Sequence, residues 1–183
     1  MTNASHPLRN VVILAVAQML GSSGLTVVVI LGGIVAAAIA PKASWATVPI
    51  SVAIVATALT TVPAAFLMRR VGRRIGFMIG AGIGAFGGLV ASAAVVRGDF
   101  VLFCVATVLL GGSMAFTQQY RFAAAESVVP ERVSKAISSV LVGGLGAALL
   151  NPQVALAARW WIADVEYAGS FIAVSVLYVA AIL

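Results

Sequence analysis

Charge is scarce in this chain. Of 183 residues, eleven are Lys or Arg, five are Asp or Glu and one is His, while 62% are apolar. With a mean hydropathy of +1.14 there are too few polar side chains to cover a water-soluble fold of this size. Long apolar runs with short charged interruptions instead describe helices that span a bilayer. Cysteine is reduced to Cys104, inside an apolar run, which excludes a disulfide framework and metal-ligand spacing and leaves a small packing residue. The single histidine, His6, precedes the first run, so no membrane histidine can activate Ser22 or Ser113 as a protease nucleophile. The carboxylates Asp99, Glu126, Glu131, Asp164 and Glu166 all fall at or near the ends of runs, so this chain encodes no central acid for proton coupling. No catalytic residue, metal site or cofactor is expected.

What is present is hydrophobic length. Six spans are expected: Val11 to Ala40, Trp45 to Met68, Ile75 to Val96, Phe100 to about Ala125, Ala136 to Ala158, and Tyr167 to Leu183. The first run is too long for a signal-peptide core and is read as a retained helix. At 1.5 Å per residue it measures about 45 Å, against roughly 30 Å of hydrocarbon, so it must tilt, bend or project. GSSG at 21–24 and GG at 32–33 are the expected bending points.

The net charge of +6 would suit nucleic acid only if it covered a soluble face, and here the positives sit at the edges of apolar runs. No nucleic-acid partner is expected. With the N-terminus inside, Arg9, Arg69, Arg70, Arg73, Arg74, Arg121, Arg132 and Lys135 are cytoplasmic, and the outer loops hold only Lys42, Arg97 and Arg159. Eight against three fixes that orientation. It also sends Trp45, Trp160, Trp161 and Tyr167 to the outer interface, where amphipathic rings are favoured.

Four of the arginines crowd into RRVGRR, residues 69–74, the short cytoplasmic turn between the second and third spans. Orientation alone would accept any loose scatter of positive charge, so the tight spacing around Gly72 needs a further reason. The segment resembles the loop signature of the major facilitator superfamily, G-x-x-x-D-R-x-G-R-R. Arg70, Gly72, Arg73 and Arg74 match it, Ala65 stands at the leading glycine, and Arg69 stands where the family has the carboxylate that helps lock its two halves together. Residues 126–138, ESVVPERVSKAIS, resemble the family's linker into helix five. GGLGAALLNP at 143–152 is similar to the antiporter signature with core G-x-x-x-G-P, but Asn151 and Ala147 replace its glycines, and antiport is not inferred. Val108 occupies the position nearest to the family's arginine early in helix four. The resemblance covers the chain as the N-terminal six-helix half of a twelve-helix transporter. It implies an inverted repeat, to which LGSS at 20–23 and LGGS at 110–113 correspond.

Two polar stripes follow a four-residue step: Gln18, Ser22 and Thr26 on the first helix, and Ser113, Thr117 and Arg121 on the fourth, with Gln118 and Tyr120 alongside. Polar groups in lipid need partners or a water-filled cavity, so the stripes are either interhelical hydrogen bonds or the lining of a substrate path. The resemblance favours the second, because helices one and four line the path in that family. Arg121 reaches the cavity mouth, snorkels, or pairs with Glu126. Asn151 is expected to serve backbone groups freed by Pro152. Gly76, Gly80, Gly84, Gly88 and Ser92 recur every four residues on the third helix, a face for close helix packing or an oligomer contact. The RGD at 97–99 is read as an outer turn.

The expected fold is therefore an all-α membrane protein, residues 1–183 forming a half bundle of six transmembrane helices with a 3+3 inverted repeat and residues 1–10 cytoplasmic. The expected function is alternating-access transport of a small solute across a bacterial cytoplasmic membrane. Arg69, Arg70, Gly72, Arg73 and Arg74 would form the gate loop. The expected partners are the lipid bilayer, a small-molecule substrate and a second six-helix half, from the same polypeptide or a homodimer mate. The last span stops after seventeen residues without a cytoplasmic anchor, from which continuation past Leu183 is expected. The alternative is a non-transporting six-helix scaffold or accessory subunit acting through the third-helix glycine face.

Overall fold

The structure, a computed structural model, describes residues 7–162 and 165–182; His6 and the rest of residues 1–6, Asp164 and Leu183 lie outside them. Among the described residues it is all-helical, with no strand. The helices are α1 (Pro7–Gly21), α2 (Ser23–Ile39), α3 (Val48–Val71), α4 (Arg73–Arg97), α5 (Phe100–Thr117), α6 (Tyr120–Glu126), α7 (Val133–Ala157) and α8 (Ala168–Ile182). Among the described residues, five helical segments are long and apolar enough to cross a membrane: Arg9–Ile39, Ala43–Val71, Arg73–Arg97, Phe100–Glu126 and Pro130–Ala157. The sixth, α8, is apolar but has only 15 residues, short of the roughly 20 that a span requires.

The junction of α3 and α4 is tighter than the sequence suggested. Helix continues through the arginines, and the turn is Gly72 alone, at φ +88° and ψ 155°, which an L side chain would strain to adopt. Arg69 and Arg70 occupy the last turn of α3, where positive charge complements the helix dipole. At the other end of α4, Gly98 adopts the left-handed conformation, and the Asp99 carboxylate caps α5 by accepting from the Leu102 amide at 3.0 Å. The Arg97-Gly98-Asp99 sequence is thus a C-cap joined directly to an N-cap.

In lipid the helices gain little from hydrophobic burial against one another, so close approach and polar contacts decide the packing. The third-helix glycines supply that approach within the chain itself. A Cβ on Gly76 would collide with Met68, on Gly80 with Phe116, on Gly84 with the Tyr178 ring and Ser113, and on Gly88 with Ser175 and the Phe171 carbonyl. Ser92 is buried on the same face, and Ser175 Oγ donates to the Ala85 carbonyl at 2.8 Å. Phe103 and Phe171 meet edge-on at 5.5 Å in the core that α4, α5 and α8 enclose.

The remaining contacts follow an exchanged pattern. α3 packs on α5, with Gly111 against the Ala53 carbonyl and Thr57 Oγ1 donating to Gly111 at 2.9 Å. α7 packs on α1, with Gly143 against the Ala15 carbonyl. α3 and α7 each carry an internal proline, Pro63 and Pro152. They are also the least covered, with 17% of each apolar window buried, against 50%, 50% and 61% in the other three long segments.

Candidate functional site

The first long segment is irregular at Ser22, within one of the two expected bending points, although Ser22 keeps right-handed helical angles and its carbonyl accepts from the Thr26 amide at 3.2 Å; α2 runs on through Gly32 and Gly33. Ser22 Oγ donates to the Gln18 carbonyl at 2.8 Å, and Thr26 Oγ1 to the Ser22 carbonyl at 2.9 Å. Such back-bonding competes with the helical ladder and bends helices. Gln18 Nε2 also reaches Ser22 Oγ at 3.3 Å, so the whole stripe is joined.

Two carbonyls beside this irregularity take side-chain donors from other helices. Thr117 Oγ1 donates to Gly21 at 3.2 Å, and Asn151 Nδ2 donates to Met19 at 3.4 Å. Asn151 therefore does not serve the backbone around Pro152 as expected. Its buried amide faces α1 and donates there to the Met19 carbonyl.

A second irregularity was not foreseen. The fourth segment tightens at Gln118 and Gln119, between α5 and α6, where both residues keep right-handed helical angles and the Gln119 amide donates to the Phe116 carbonyl, three residues back, at 3.0 Å; the adjacent glutamines inside an apolar run were the available signal. Tyr120, just beyond, is buried and stacks on Phe77 with ring centroids 4.1 Å apart, which pins the start of α6 to α4. The four-residue step of the second stripe ends here. Ser113 and Thr117 are buried inside the bundle, whereas Arg121 is exposed with its guanidinium 5.1 Å from the Phe122 ring centroid. Of the seven expected substrate residues, Thr117 reaches the Gly21 carbonyl beside Ser22, and Gln18, Thr26 and Gln118 are partly exposed. Ser113 lies deeper, beneath Gly84, and Arg121 does not join them.

Ser113 belongs to a second polar feature. Its hydroxyl and those of Ser23 and Tyr178 are buried without a hydrogen-bond partner among the described residues. Tyr178 is wedged between Gly24 and Gly84, whose missing side chains make its room.

At the end marked by Gly72, Arg73 holds both oxygens of Glu126: Nε lies 2.8 Å from Oε2, and Nη2 contacts Oε1. Glu126 thus pairs with the first residue of α4 and not with Arg121. With side-chain exposures of 34% and 63%, this pair contributes on the order of 0–1 kcal/mol. Arg69, Arg70 and Arg74 are exposed and make no ion pair among the described residues. Beside the pair opens a cleft of about 530 Å³, lined by Ala65, Met68, Arg69, Arg73, Gln119, Phe122 and Glu126. At the opposite end Trp45 and Phe100 meet at 5.8 Å, and the Arg159 guanidinium lies 5.5 Å from the Trp160 ring.

No family model matches the chain, and no solved structure matches it. Over 177 residues, 97% of the chain, it is 41% identical to the riboflavin transporter RfnT of Brucella anthropi. The chain spans 44% of the length of that relative. It is a helical membrane protein with a bacterial relative named as a transporter.

Proposed function

We propose that the chain forms the first six-helix half of an alternating-access transporter of the major facilitator kind. The whole protein then carries riboflavin, or a closely related flavin, across a bacterial cytoplasmic membrane. The observation that carries this reading is the 41% identity to a riboflavin transporter along nearly the whole chain. A span of 44% of that relative suits one of two similar bundles. The poorly covered α3 and α7 suit the faces that a second bundle would meet. The exchanged packing of α3 on α5 and α7 on α1, with a proline inside each outer partner, is what a 3+3 inverted repeat would produce.

In this reading Ser22 is the pivot of the first span, held by Thr117 and Asn151 from neighbouring helices. Gln18, Thr26 and Gln118 offer amide and hydroxyl groups to the substrate. A flavin ring edge alternates hydrogen-bond donors and acceptors, and a glutamine amide supplies both. The Arg73–Glu126 pair closes the cytoplasmic end, and its low strength suits a contact that must open in each cycle. A scaffold acting through the third-helix glycines is less favoured, because Met68, Phe116, Tyr178 and Ser175 of the same chain already fill that face.

The test is labelled riboflavin uptake by cells expressing the complete gene, compared with Gln18→Ala and Gln118→Ala at equal protein level. Uptake by the parent, reduced at least several-fold in both variants, is expected. Absence of flavin uptake by the parent would remove the substrate assignment, and full uptake by both variants would remove these glutamines from the path.

A further inference from the structure

Arg69 has no carboxylate partner among the described residues, because the one acid in its cleft, Glu126, is held on both oxygens by Arg73. We propose that this cleft binds the phosphate of an anionic phospholipid headgroup, with Arg69 and Gln119 as its donors. The inference does not rest on the transport reading.

Three features select the ligand. The first is charge: Arg73 neutralises Glu126, so Arg69 leaves the lining net positive, and Arg70, Arg74 and Arg121 stand exposed at the same end. A guanidinium presents a planar fork of N–H donors that matches two phosphate oxygens at once. The second is Gln119, which is only 9% exposed, lines the cleft, and makes no side-chain hydrogen bond among the described residues. An amide N–H on a residue that lines the cleft can donate to a phosphate oxygen there. The third is the remaining lining. Ala65, Met68 and Phe122 are apolar, which suits the glycerol and first acyl carbons of a lipid better than a hydrated free anion. The cleft lies at the ends of apolar helices, at headgroup level, and basic pockets between transmembrane helices on this side are suited to such groups. Its volume of about 530 Å³ is within the range of small-molecule sites.

The test uses the complete protein in nanodiscs of phosphatidylcholine with or without phosphatidylglycerol, and the phosphatidylglycerol retained is counted by native mass spectrometry. The parent and an outer-end control, Arg97→Ala, should retain the lipid and gain thermal stability from it. Arg69→Ala and Gln119→Leu should each retain less than half as much, and Arg69→Lys an intermediate amount. Equal retention by Arg69→Ala and the parent overturns the site. Inorganic phosphate added in detergent separates the sources: stabilisation equal to that by the lipid, lost in Arg69→Ala, overturns the lipid occupant and leaves a soluble-anion site. A cysteine at position 69 that is shielded from thiol reagents without any anionic lipid would mean that the protein itself covers the cleft, and overturns the proposal.

Discussion

The hydroxyl of Thr117 donates to the carbonyl of Gly21, 96 residues earlier, at 3.2 Å, and so joins the end of α5 to the end of α1. Asn151 reaches the same end from α7 through Met19. Side chains of α5 and α7 thus both meet α1 in its last three residues.

Thr117→Val keeps the shape and removes the donor. It should cost on the order of 0.6–1.7 kcal/mol, the range for interhelical hydrogen bonds in membranes, and lower the thermal midpoint by a few degrees. Thr117→Ser should keep most of the stability. A melt of Thr117→Val indistinguishable from the parent would show that the Gly21 carbonyl needs no partner.

Gly84 and Gly82 make a paired test of the packing face. A Cβ on Gly84 would lie 2.5 Å from the Tyr178 ring and 2.6 Å from Ser113 Oγ, whereas one on Gly82 would meet nothing. Gly84→Ala should destabilise by about 1–3 kcal/mol and reduce folded yield, while Gly82→Ala should leave yield unchanged or raise it. Similar yields measured by fluorescence-detected size exclusion would contradict the contact.

The Arg73–Glu126 pair should matter little for stability and more for the balance between conformations. Arg73→Gln and Glu126→Gln should each shift the melt by less than about 1 kcal/mol. Both should raise reagent access to a cysteine at Gln118, with no further rise in the double variant. Additive increases would show that the two side chains act separately.

Orientation can be read with cysteines at Arg74 and Arg97 in a Cys104→Ala background. The Gly72 turn is expected in the cytoplasm and Gly98 outside, so an impermeant reagent should label them from opposite sides. Labelling from one side only would end the alternating arrangement of spans.

Local rules made much of the fold legible. Apolar run length located the five long helical segments to within a few residues, and the four-residue spacing of Gly76, Gly80, Gly84 and Gly88 marked the side of α4 that packs. Gly72 marked a tight turn because φ +88° is a property of one residue and its neighbours. The last span was legible to the same degree, its described helix running Ala168–Ile182 against an expected Tyr167 to Leu183, of which Leu183 lies outside the described residues.

Composition by itself determined the solvent: with sixteen charges in 183 residues, the chain can satisfy its backbone only within helices surrounded by lipid and by one another. Periodicity then fixed which residues share a face, and no more than that. Which helix covers the face was decided by tertiary packing, through partners far apart in sequence. Asn151 turned from the neighbouring proline to α1 because Met19 offers a carbonyl there. Glu126 went to Arg73, 53 residues away, and not to the nearby Arg121, which stands five residues earlier on the same helix α6 and so projects from a different side of it. Contacts of this kind join segments far apart in sequence, so a side chain's partner is settled only in three dimensions.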